Sequence, residues 1–411
     1  MSGRPAVYLH VGEPKSGTTY LQQVLWANRA ALGEHGLLLP GRPQDHWHAA
    51  EDLRQVERSA NDPFGPVSGA WDRLAAQAGK AARAAVISHE LLSGVDADQA
   101  ARGVRAFRSA DVHVIVTVRD ITSLLPAEWQ ETVKHRNTRS WREWLSDVID
   151  RESGSPNRRQ WLFWRMHDTA EILRIWSAVV PPEHVHVVTM PARGAAQDEL
   201  WTRFAQVVGV PAGSADPGRA RSNASLGLAE IEFLRRLNSA LPQSLPDWFY
   251  WRNIKDGLAH EAFAARPAAP DERLALPAER DEWARKYAES LIETLRAADY
   301  DVVGDLDELL PAALPDRRAD PSDAADSAVL AAAVDAAVHL VTQLASTQGI
   351  APDAVVEPGK PPGRLKRTFI RLSQRSRSLH RVRRWYWNVA NAVKSARRTS
   401  RWRSVDDRNV S

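Results

Sequence analysis

Four short apolar runs fix the kind of fold this chain can adopt: Ala6 to Val11 (AVYLHV), Ala84 to Ser88 (AAVIS), Val112 to Val118 (VHVIVTV) and Val185 to Met190 (VHVVTM). A strand with one wet face alternates apolar and polar side chains. A run as continuously β-branched as Val112 to Val118 must instead be covered on both faces, as in a parallel sheet. Between the runs lie helical patterns: Thr18 to Ala30, Asp120 to Lys134 with Pro126 accommodated by a bend, and the amphipathic Asp168 to Val179. Strands alternating with helices predict a doubly wound α/β sheet whose binding loops leave the C-terminal ends of the strands.

The chain of 411 residues exceeds the usual domain of roughly 100–200 residues, so the sheet needs appendages or a second domain. Gln197 to Val208, Leu226 to Leu241 and Arg280 to Ala298 read as further helices, and Pro311 to Pro321 as a boundary loop. The expected division is a catalytic-type domain over 1–310, a loop and Ala-rich helix over 311–350, a Pro-rich linker over 351–363 and a basic tail over 364–411. The absence of cysteine excludes disulfides, Cys-type zinc sites and thiol catalysis. The N-terminus lacks the layout of a secretory signal, and Asp335 and His339 interrupt the apolar stretch Asp326 to Ala345. A cytoplasmic protein is expected, soluble or peripheral at the inner membrane surface.

The most informative segment is HVGEPKSGTTYLQ, His10 to Gln22. A loop running from a buried strand into a helix aims backbone N–H groups and the positive end of the helix dipole at one anion. Gly12 and Gly17 permit tight turning, and Thr18 and Thr19 add hydroxyls. The spacing Gly12 to Gly17 fits G-x4-G, but the lysine is Lys15, inside the loop, and Thr18-Thr19 stands where a Walker A loop has Lys-Ser/Thr. No ordinary magnesium-nucleotide site is spelled.

PKSGTTYLQ is similar to the 5′-phosphosulfate loop of the sulfotransferases that use 3′-phosphoadenosine 5′-phosphosulfate (PAPS). VHVIVTVRDITSLLPAEWQE, Val112 to Glu131, resembles that family's 3′-phosphate segment, a strand ending in Arg followed by a helix. The resemblance covers Ala6 to about Met190, with weaker support to about Leu310. It implies a three-layer, P-loop-NTPase-like α/β fold, a central parallel sheet flanked by helices, here with a helical C-terminal extension. It also implies PAPS as co-substrate, released as PAP, without a metal. Lys15, Ser16, Gly17, Thr18 and Thr19 would hold the 5′-phosphosulfate and Arg119 the 3′-phosphate, to which a guanidinium offers a rigid fork of donors. Many members carry a Ser eight residues after that Arg, where this chain has Ala127. Ser123 is then a candidate for the second contact, or it caps its helix or faces solvent. The family's C-terminal Arg-Lys-Gly segment is missing. Arg221 to Ser225, with Asn223, either takes its place or supplies a helix N-cap.

Sulfuryl transfer builds charge on the bridging oxygen of the leaving phosphate, and Lys15 can neutralise it. The acceptor must lose a proton, and Ser88-His89-Glu90 stands where the family carries its base. His89 resembles the base of cytosolic small-molecule enzymes and Glu90 that of carbohydrate sulfotransferases. Neighbours on extended backbone point to opposite sides, so one of the two reaches the acceptor. Glu90 is the favoured base, because the segment resembles the carbohydrate-type Ser-Ser-Glu; alternatively both residues only pin the loop. His46, His48 and His135 show no zinc-type pairing and read as core or surface residues. Among 16 tryptophans, the pairs Trp141/Trp144 and Trp161/Trp164 read as core stripes, and Trp248 to Trp251 as an acceptor lid.

The near-neutral charge of +3 is a cancellation: Gly359 to Ser411 holds 16 basic and two acidic residues, net +14, leaving 38 basic and 49 acidic residues, net −11, for the rest. Leu379, Val382, Tyr386, Val389 and Val393 recur at helical spacing with arginines opposite, a basic amphipathic pattern suited to an anionic membrane surface or to the acidic body. Nucleic acid ranks third. The expected acceptor is a hydroxyl or amine, on a carbohydrate, glycolipid or other small metabolite. The competing classes are a catalytically degenerate anion- or lipid-binding scaffold and a P-loop nucleotide kinase.

Overall fold

A computed structural model describes residues 4–58, 65–150, 158–220, 225–263, 274–312 and 318–348. Asn223, the Pro-rich linker and the basic tail lie outside the described residues. The four apolar runs form β1 (Ala6–His10), β3 (Ala84–Ser88), β4 (Asp111–Val118) and β5 (Val185–Thr189). Two strands absent from the sequence reading, β2 (Leu37–Leu38) and β6 (Asp301–Val303), close the edges of a parallel sheet of order β2-β3-β1-β4-β5-β6. At two and three residues they are too short to carry a period.

Both faces of the sheet are covered, which explains the unbroken apolar runs. Val7 and Leu9 of β1 face one core with Val114, Val116 and Trp176. Tyr8 and Ile115 face the other, with Leu21, Leu25 and Phe204. A third core gathers Trp129, Trp141, Trp144 and Tyr250 from the added helices. Trp141 and Trp144 are therefore core residues, whereas Trp161 and, in the expected lid, Trp248 and Phe249 stand exposed and Tyr250 is buried. Pro126 lies inside the Ile121–Lys134 helix and is buried there. The first compact unit runs to Val341, and Ala332 and Ala336 of the Asp326–Thr347 helix pack into the Trp141 core.

Candidate functional site

Because β1 lies between β3 and β4, with His10 in register with both Ser88 and Ile115, three strand ends meet at one edge. The loop after β1 stays attached to that edge: the Val11 N–H donates to the Ile115 carbonyl at 2.9 Å and the Glu13 N–H to that of Thr117 at 3.2 Å. The His89 N–H donates to the His10 carbonyl at 3.1 Å. This puts Lys15, Glu90 and Arg119 on elements that leave the sheet side by side, at the crevice where open parallel sheets bind ligands.

Three residues of the loop occupy the left-handed region, Gly12 (φ 63°), Lys15 (φ 66°) and Gly17 (φ 87°). A Cβ at Gly17 would collide with Leu200 and Met190, and one at Gly12 with the Thr18 methyl group. Lys15 has a Cβ, and this conformation costs it about 1–2 kcal/mol. The Arg119 guanidinium offsets part of that by donating from Nη1 to the Lys15 carbonyl at 3.0 Å. The Thr18–Ala27 helix then opens with no side-chain cap and no acidic residue in its first turn. Its first N–H groups and dipole end are left for an anion, with Thr19 exposed beside them.

Ser16 has a different place from the one expected. Its hydroxyl is buried, donating to the Glu13 carbonyl at 2.6 Å and lying 2.6 Å from Thr117 Oγ1, and its N–H goes back to the Glu13 carbonyl. Ser16 braces the loop from beneath and presents nothing outward. Thr117 Oγ1 also lies 3.4 Å from Nε2 of buried His10, whose Nδ1 lies 2.8 Å from the Ser88 hydroxyl. Burial holds His10 down at about 4, against the pull of Glu90, so it is neutral near pH 7. His46 secures the same edge, accepting from the Ser88 N–H at Nδ1 (3.1 Å) and donating from Nε2 to the Pro40 carbonyl (2.8 Å).

Glu90 and His89 part company in the structure. His89 Nδ1 accepts from the Leu91 N–H at 3.2 Å, capping the short 3-10 helix Glu90–Gly94, so the ring proton sits on Nε2. Burial lowers the His89 pKa although Glu90 opposes it. An imidazole with Nδ1 engaged and Nε2 protonated has no free lone pair for an acceptor proton. Burial pushes the Glu90 carboxyl up, but His89, its own N–H, Gln22 and Lys15 together bring it below its ordinary value. The Gln22 amide orients it, donating to Oε2 at 3.0 Å. Glu90 is thus an ionised, positioned carboxylate beside the loop.

The N-cap of the Ile121–Lys134 helix is Asp120, which accepts from the Ser123 N–H at 2.8 Å, so Ser123 is not the cap. Ser123, Ala127 and Glu131 stand on successive turns of one face of that helix, none fully buried. Glu131 is the partner the sequence reading missed. Its carboxylate lies 2.9 Å from Lys15 Nζ, 2.9 Å from Lys255 Nζ, 3.1 Å from His135 Nε2 and 3.9 Å from Lys134 Nζ. Burial pushes this carboxyl up, but His135 and the lysines overwhelm that effect and hold it well below the carboxylate range. Its spacing from Ser123 and Ala127 is a legible signal. Lys255 gave none, since it arrives on the π-helical stretch Trp251–Ala262, far away in sequence.

No family model matches the sequence, and no curated protein matches it. Among solved structures, the chain is similar to a sulfotransferase from Alicyclobacillus acidocaldarius at 16% identity and a TM-score of 0.35, over 64% of this chain and 98% of that one. That likeness is too distant to carry a function across.

Glu13, inside the loop, is buried and accepts from the Thr169 hydroxyl. Burial, opposed by Thr169 and reinforced by Asp168, raises its pKa from 4.5 to about 8, so the folded protein holds it protonated at neutral pH. The unfolded chain ionises this group near 4.5. Its contribution to folding is therefore complete below pH 4.5 and is lost as the pH rises through 8. Denaturant unfolding at pH 5 and pH 8.5 should show the wild type losing about 3–4 kcal/mol more than Glu13→Gln. Parallel losses in the two proteins would refute the protonated state.

Proposed function

We propose that this protein is a sulfotransferase that moves the sulfuryl group of PAPS to a hydroxyl or amine of a carbohydrate, glycolipid or other small acceptor, releasing PAP. The observation that carries this reading is the loop of left-handed Gly12, Lys15 and Gly17 opening into an uncapped helix, with a positioned carboxylate on one side and a half-buried arginine on the other. The loop cradles one anion by its backbone, while Arg119 stands ready for a second phosphate. A Walker-type kinase would instead place its lysine beyond the second glycine, where Thr18 stands.

PAPS supplies an activated sulfuryl group, and the chain's own residues do the rest. Gly17, Thr18 and Thr19 hold the phosphosulfate through N–H groups and hydroxyls, and Ser16 keeps the loop in shape. Lys15 neutralises the bridging oxygen as the bond from sulfur to that oxygen breaks. Glu90 takes the proton of the acceptor as the new bond from sulfur to the acceptor atom forms. The guanidinium of Arg119 has donors beyond the one given to Lys15, and Ser123 offers a hydroxyl from the first turn of the next helix. We assign the nucleoside to a cavity of about 360 Å3 walled by Gly17, Thr19, Tyr20, Met190 and Leu200. A second cavity, of about 580 Å3, is lined by Glu131, Trp144, Phe163 and His167. Before transfer, Lys15 must leave Glu131, and Lys134, Lys255 and His135 keep that carboxylate compensated when it does.

Calorimetric titration of PAP and ATP, each with magnesium and with chelator, tests the donor assignment. Equal binding of PAP with and without magnesium, tighter than that of ATP, is expected; magnesium-dependent binding of ATP alone would point to a kinase. For the base, Glu90→Gln should lower kcat/KM by about 10^2–10^4-fold at saturating PAPS. His89→Gln should act mainly on stability, by about 1 kcal/mol through the lost cap. A larger kinetic loss at His89 than at Glu90 would reverse the assignment.

A further inference from the structure

The Asp326–Thr347 helix has two faces of the same chemistry and different surroundings. Val329, Ala332 and Ala336 are buried, the last two in the Trp141 core, and Arg236 Nη1 pins the helix start through Asp326 at 3.1 Å. On the opposite side Leu330, Val334, Val338 and Val341 recur at helical spacing and are 64%, 54%, 60% and 66% exposed. Large aliphatic side chains in an unbroken exposed stripe mark a contact surface. The helix has 22 residues and a mean hydropathy of 1.7 over its most apolar window, enough by length and composition to cross a bilayer. Its inner face, however, is taken up by the folded domain.

The charge of the chain beyond the helix decides what can cover the stripe. Gly359 to Ser411 carries net +14, with no acidic residue before Asp406. A second copy on the stripe would join two chains that each carry this charge, which like-charge repulsion opposes. Nucleic acid would satisfy the positive charge and leave the aliphatic stripe in water. An anionic membrane takes both, apolar side chains into the head-group boundary and arginines onto the lipid phosphates. We infer that the exposed stripe Leu330, Val334, Val338 and Val341 lies flat in the surface of an anionic lipid bilayer. The enzyme then works at a membrane, whatever its acceptor, so this inference stands apart from the donor assignment.

Vesicle sedimentation of the full-length protein tests it, using phosphatidylglycerol–phosphatidylcholine and pure phosphatidylcholine vesicles at low and high salt. The wild type should partition to the anionic vesicles and lose that binding in high salt or on neutral lipid. Leu330→Glu/Val334→Glu/Val338→Glu should partition about tenfold or more weakly, with an unchanged circular-dichroism spectrum and thermal midpoint because the replaced side chains are exposed. Equal partitioning of variant and wild type would overturn the role of the stripe, and no wild-type binding would overturn the membrane itself. A wild-type dimer that the same substitutions convert to monomer would assign the stripe to a second copy.

Discussion

The site depends on one buried chain of polar contacts beneath the loop that follows β1. Ser88 meets His10, His10 meets Thr117, Thr117 meets Ser16, and Ser16 returns to the Glu13 carbonyl. These residues come from the ends of β3, β1 and β4 and from the loop, so one satisfied network fixes three strands and the loop to each other. Buried polar groups are costly when unpaired and specific when paired, and here the pairing holds the backbone in a shape that a loop alone would not keep. The left-handed Lys15 is the strained member of that shape. Its carbonyl is held by Arg119 and its ammonium by Glu131, which keeps the side chain over the crevice.

Electrostatics across the chain reads differently at different ranges. Residues 1–358 carry −11 overall, a field that disfavours anions at long range. Close in, the balance reverses. Lys15, Lys134 and Lys255 crowd around the single carboxylate of Glu131, and the uncapped helix end adds its dipole. Over a few ångströms in a partly buried crevice these charges outweigh distant surface carboxylates, which water and salt screen.

The sheet was legible because its inner strands are covered on both faces and must therefore be apolar throughout. Its edges were not, since β2 and β6 are two and three residues long and take their register from neighbours. Gly12, Lys15, Gly17 and Arg119 could be placed from local spacing, as loop and strand end sit next to the elements that position them. Ser16 could not be distinguished from its neighbours by sequence, because its inward turn depends on Thr117, about a hundred residues away. The difference between His89 and Glu90 likewise lies in a contact, the Leu91 N–H that occupies His89 Nδ1. Glu131 lay within reach of helical periodicity, but its ring of lysines did not, since Lys255 joins it only through tertiary packing.

In the proposed reaction the loop presents a sulfuryl donor to an acceptor with Lys15 at the leaving oxygen. Sulfur-labelled PAPS incubated with the protein and separated lipid and polar cell fractions measures this directly. Magnesium-independent transfer of label into one fraction by the wild type is expected, with loss of transfer in Lys15→Ala. Equal transfer by Lys15→Ala, or transfer of phosphate from ATP in place of the sulfuryl label, would contradict it.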